Sequence, residues 1–60
     1  MKRIELAEKF LAKMNVAQKD MDTNGGSLYH VGYINGLKEA VEALGYIVIN
    51  INGNWNVNAR

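Results

Sequence analysis

The C-terminal stretch YIVININGNWNVNAR, residues 46–60, is compatible with little other than a β-hairpin. Two runs rich in β-branched and aromatic residues flank Asn52-Gly53, a strong short-range signal for chain reversal between strands. The register has two solutions. A two-residue turn at Asn52-Gly53 pairs Ile51 with Asn54 and Ile49 with Asn56, mixing apolar and polar side chains. A three-residue loop, Asn52-Gly53-Asn54, pairs Ile51 with Trp55, Ile49 with Val57 and Ile47 with Ala59, and one face becomes wholly apolar. Register follows the face that must be buried, and Asn54 tolerates the left-handed conformation that such a loop requires at its third position. The three-residue loop is therefore the expectation, with Tyr46, Val48, Asn50, Asn56, Asn58 and Arg60 on the outer face.

Upstream of the hairpin the apolar period changes to that of a helix. At about 100° per residue, Ile4, Ala7, Phe10, Leu11, Met14, Ala17 and Met21 share one arc, with Glu5, Glu8, Lys9, Lys13 and Lys19 opposite, which predicts a helix over 3–21. A second helix is predicted over 28–44. Ser27 is its N-cap, and Gly45 suits the left-handed position just past its end, with Tyr46 as the apolar residue beyond. Its apolar face is Tyr29, His30, Tyr33, Ile34, Leu37, Ala40, Val41 and Leu44. Beside that face runs a ridge of small residues, Gly32, Gly36 and Ala43, with Ala40 at its edge. Each interior glycine costs about 1 kcal/mol against alanine, so a backbone is expected to approach the ridge closely, from helix 1 or from a second copy.

These pieces predict one α+β domain over residues 1–60, in the order α-α-β-β, with both helices on one face of the hairpin. A chain of 60 residues buries only about 60% of the surface its unfolded form exposes. Such scaffolds need a disulfide, a metal or a partner chain. With no cysteine, disulfides are excluded and a reducing, cytoplasmic setting is expected. A copy of the chain itself, adding its hairpin edge to edge, is the expected remedy. The longest apolar run, Ile47-Val48-Ile49, is far short of the roughly 18 residues that cross a membrane. The start, MKRIELAEKF, places Glu5, Glu8 and Lys9 where a signal peptide is apolar.

Residues 20–25, DMDTNG, open like a calcium-binding EF-hand loop, with Asp20, Asp22 and Asn24 at its first, third and fifth positions and Gly25 at its sixth. The pattern then fails: Leu28 and Val31 fall at the ninth and twelfth positions, and the bidentate glutamate is missing. A turn between helices accounts for these residues by local hydrogen bonding, so no metal or other cofactor is expected, with Asp20, Asp22 and Asn24 kept as a weak candidate set.

Little else suggests chemistry. His30 is the single histidine and cannot complete a zinc site. Ser27 and His30 lie three residues apart with no third group in sequence to orient the imidazole. Gly25-Gly26 lacks both glycine-rich fingerprints for phosphate. An enzyme is not expected. Seven basic against six acidic side chains give a net charge of +1, which supplies no strong attraction to nucleic acid. The segment EAVEALGYIVININGNWNV resembles the junction of recognition helix and wing in winged-helix domains, and that resemblance implies DNA binding. Departing from it, the helix exposes Asn35, Lys38, Glu39 and Glu42, and the loop Asn52-Gly53-Asn54 is uncharged.

Tyr29, Tyr33 and Trp55 are of the types that anchor interfaces. With Gly32, Gly36 and Ala40 they form the expected surface for a partner or a second copy. In its shortness, its lack of cysteine and its helix YHVGYINGLKEAVEALGY, the chain resembles accessory proteins of bacteriophages and other mobile elements. That resemblance implies a binding protein that inhibits or modulates a host protein, or sequesters a signalling molecule.

Overall fold

The computed structural model describes residues 2–59. Helix α1 runs Arg3–Asn24, helix α2 Leu28–Ala43, strand β1 Tyr46–Ile51 and strand β2 Asn54–Ala59. The architecture is the predicted α-α-β-β, with α1 over β2 and α2 over β1.

Helix α1 continues three residues past its predicted end at Met21. Side chains four apart satisfy one another there: Gln18 Nε2 donates to Asp22 Oδ1 at 3.0 Å, and Asn24 Nδ2 donates to Asp20 Oδ1 at 2.6 Å. Such pairs offset the poor intrinsic helicity of Asp and Asn. The helix stops at Gly25, whose φ of 85° few other residues adopt. Helix α2 starts at the predicted Leu28 and ends at Ala43, one residue before its predicted end, with Leu44 as its cap. Ser27 Oγ accepts the His30 N–H at 3.4 Å. Past the last turn Gly45 has φ 99° and donates its N–H to Glu42 O at 3.0 Å. Arg3 Nη1 donates to Leu44 O at 3.4 Å, placing a cation at the carbonyl end of α2.

The hairpin register differs from the expected one. Ile51 faces Asn54, Asn50 faces Trp55, Ile49 faces Asn56, Val48 faces Val57 and Ile47 faces Asn58. The turn has two residues, Asn52 at φ 52° and Gly53 at φ 89°. Both are left-handed, the requirement of a type I′ turn, whose twist matches that of the strands. Turn chemistry prevails over the burial of isoleucine because the other face also suffices as a core. Val48 is buried, and Tyr46, Trp55 and Val57 pack beside it. Ile47, Ile49 and Ile51, expected inside, lie on the outer face with Asn54, Asn56 and Asn58, and Ile47 and Ile51 are 42% and 52% exposed. Tyr46 and Val48, expected outside, lie inside. Arg60 falls outside the described residues.

The fully buried core is small: Ala7 and Met14 from α1, Ile34 and Val41 from α2, and Val48 from β1, among the described residues. Phe10, Leu11, Leu37 and Leu44 pack around it. The glycine ridge takes no part. A Cβ built on Gly32 or Gly36 meets nothing within 4 Å, so α1 is not the backbone that approaches it. Gly36→Ala is therefore expected to stabilise the single chain by about 0.5–1 kcal/mol in urea denaturation; a loss of stability would reveal a close neighbour supplied by another chain. No helix among the described residues is long and apolar enough to cross a membrane.

Candidate functional site

The groups with the most chemical potential meet at the α1–α2 junction. Asp20 lies one turn before the end of α1, Ser27 caps α2, and His30 sits in the first turn of α2. The antiparallel return of the chain brings the three into a line. Ser27 Oγ lies 2.8 Å from His30 Nδ1, and His30 Nε2 lies 2.6 Å from Asp20 Oδ2. A carboxylate only accepts, so Nε2 carries a proton, and in the neutral ring Nδ1 accepts from the Ser27 hydroxyl. Asp20 supplies the third group that spacing along the chain does not reveal. Its hydrogen bond to His30, and after it the one from Asn24, hold its carboxyl below the usual value of 3.8. The side chains of His30 and Asp20 are 18% and 50% exposed, so the line lies at the surface.

That depressed value has a sign. The stabilisation from ionised Asp20 is complete above the ordinary carboxylate value of 3.8 and is lost as pH falls through its lower folded value. Asp20→Asn is expected to flatten the acid limb of the stability curve below that value, as read by circular dichroism during acid titration. An unchanged acid limb would show that the Asp20–His30 contact contributes no coupling.

A groove of about 530 Å³ opens beside this line, between the outer flanks of the two helices. Ala12, Lys13, Val16 and Ala17 form one wall; Tyr29, His30 and Tyr33 form the other. The Tyr29 and Tyr33 rings stack at 6.2 Å with an interplanar angle of 14°, and Tyr29 meets His30 edge-on at 5.7 Å. Tyr29 is 76% exposed and Val16 71%, with Leu28 more exposed still. Val16 was absent from the helical stripe read from the sequence, because it falls outside the arc that faces the core.

Of the residues singled out from sequence, Tyr29 and Tyr33 line this groove. Gly32 and Gly36 open to solvent, and Ala40 is half-buried. Trp55 is on the sheet side of α1, apart from the groove. It is held there by side chains that periodicity does not reveal. Asn15 Oδ1 accepts the Trp55 N–H at 2.6 Å, Asn15 Nδ2 donates to Trp55 O at 3.1 Å, and the indole N–H donates to Gln18 Oε1 at 3.2 Å. Asn15 thus occupies the outward-pointing backbone groups of β2.

The DMDTNG segment is the last turn of α1, not a loop. Asp20 and Asp22 are two residues apart on a helix, roughly 200° around its axis, and point to different surroundings. Asp20 faces His30 while Asp22 is paired with Gln18. No three His, Cys, Asp or Glu side chains converge among the described residues. Comparison with protein-family models, with curated proteins and with solved structures finds no match to this chain.

Proposed function

We propose that the chain is a small binding module that docks a partner protein on the α1–α2 groove and inhibits or modulates it, in the manner of the mobile-element accessory proteins it resembles. The observation that carries this reading is the exposure of Val16 and Tyr29 on facing walls of one groove, with the half-buried Tyr33 ring stacked on Tyr29. Folding alone gives no reason for large apolar side chains to gather there, and aromatic anchors set in a depression are the usual source of interface energy. The near-neutral charge favours apolar docking over phosphate contacts. The proposed setting is the host cytoplasm, which suits a chain without cysteine.

We also propose that the module works as a homo-oligomer. Two features support this. The buried core is small, and the sheet face away from the helices presents Ile47 and Ile51 exposed, with Ile49 half-buried between them. Packing that face against its copy places the helices outside on both sides, the usual arrangement of stacked sheets.

Retention of host proteins on the immobilised chain tests the docking surface. Tyr29→Ala and Val16→Ser alter the groove, whereas Glu39→Gln alters neither the groove nor the sheet; all three positions are exposed, so their folding cost is small, about 0.5 kcal/mol or less. A protein retained by the wild type and by Glu39→Gln, and lost with both groove variants, is the expected result. Equal retention by all four chains would rule the groove out as the docking surface.

A further inference from the structure

Beyond docking, we propose that Ser27 is an activated nucleophile that accepts an acyl group from an activated ester lodged in the α1–α2 groove. Three requirements for such a centre are met by geometry. First, the nucleophile touches its base: Ser27 Oγ is 2.8 Å from His30 Nδ1. Second, the base is oriented: the Asp20 carboxylate, 2.6 Å from Nε2, fixes the tautomer that leaves Nδ1 free to take a proton. The two ring nitrogens exchange the places they hold in serine proteases, but the roles are complete.

The third requirement is donors for the oxygen that becomes negative. Ser27 caps α2, and the first N–H groups of a helix have no acceptor within it. His30 N–H points at Ser27 Oγ and Val31 N–H at Ser27 O, while Leu28 and Tyr29 N–H have no partner among the described residues. These two belong to the first turn of the helix that Ser27 caps, at its positive end, where an oxyanion is stabilised. Ser27 itself stands outside the groove, but Asp20 and His30 line it beside the Tyr29 ring, and its open volume has room for the apolar part of a small aryl or alkyl ester.

In the step itself, Ser27 Oγ forms a bond to the carbonyl carbon as its proton passes to His30 Nδ1. The tetrahedral oxyanion then re-forms the carbonyl, the bond to the leaving oxygen breaks, and that oxygen takes the proton from Nδ1. No oxidant, metal or co-reactant is needed. The product is an acyl ester on Ser27 and a free alcohol or phenol. This inference stands independently of the docking reading, since its variants leave Tyr29 and Val16 intact.

The test uses the full chain and p-nitrophenyl acetate, with the acetyl group located by intact mass and peptide mapping. Acetylation of Ser27 is expected to be at least tenfold faster in the folded chain than in urea, and to fall by about tenfold or more in Asp20→Asn, in line with loss of an oriented general base. Ser27→Asn keeps a capping side chain and so separates loss of the nucleophile from loss of the fold; it is expected to show no acetyl group in this segment. Label confined to lysines and the N-terminus would overturn the proposal. So would Ser27 labelled equally fast in urea or in Asp20→Asn.

Discussion

Met14→Ala is expected to leave the chain largely unfolded at room temperature. Met14 is fully buried at the centre of α1 and touches the common core of α2 and β1. Truncating such a side chain removes its transfer free energy and leaves a cavity, a cost of about 2–5 kcal/mol. A core of this size supplies about 3–5 kcal/mol in total. The substitution therefore removes most of the stability of the single chain. Far-ultraviolet circular dichroism with a urea titration reads this directly. A midpoint within the error of the wild type would mean that Met14 is not the side chain on which the layers close.

The second large effect belongs to Asn15, which a helical-wheel reading passes over as a polar position. Its carboxamide makes two bonds to the backbone of Trp55. The two-residue turn makes Ile51 and Asn54 a hydrogen-bonded pair, so the N–H and C=O of the next residue, Trp55, point away from β1. That strand edge is part-buried beneath α1, and Asn15 stands where a neighbouring strand would be. Asn15→Ala strands a donor and an acceptor, which costs about 1–3 kcal/mol. Asn15→Asp keeps the acceptor for the N–H and sets a carboxylate against the Trp55 carbonyl, so it is expected to lose about as much. Tryptophan fluorescence during urea unfolding follows both. Val16→Ala, next in sequence but exposed, is the matched control, with an expected change within about 0.5 kcal/mol. Equal midpoints for all three variants would show that the Asn15 bonds form at no net gain over water.

The reasons why some of this was legible and some was not are physical. Ser27 and Gly45 mark the ends of α2 because an N-cap hydroxyl and a left-handed glycine act through their own few neighbours. The end of α1 was harder, since Gln18–Asp22 and Asp20–Asn24 pairs prolong a helix through residues that otherwise favour turns. The hairpin was placed correctly and its register was not. Two faces compete there: one carries Ile47, Ile49 and Ile51, the other Tyr46, Val48, Trp55 and Val57. Counting apolar side chains favours the first, but Asn52-Gly53 closes a type I′ turn that selects the second.

The candidate site follows the same division. Tyr29 and Tyr33 were visible as anchors because they lie one turn apart on a single helix. Asp20 was visible only as a failed calcium ligand. Its meeting with His30 depends on the rotation of α1 against α2, which the packing of Met14, Ile34 and Val41 sets and no local pattern encodes. The same dependence hides the Asn15–Trp55 clamp, whose partners are 40 residues apart in sequence.

Sedimentation equilibrium of the wild-type chain over a wide range of concentration tests most directly whether this small fold completes itself by association. A weight-average mass above the 6.7 kDa of the single chain, unchanged by calcium or chelator, is the predicted result. A mass of 6.7 kDa at every concentration would contradict it, and Ile47, Ile49 and Ile51 would then be an exposed face that no copy covers.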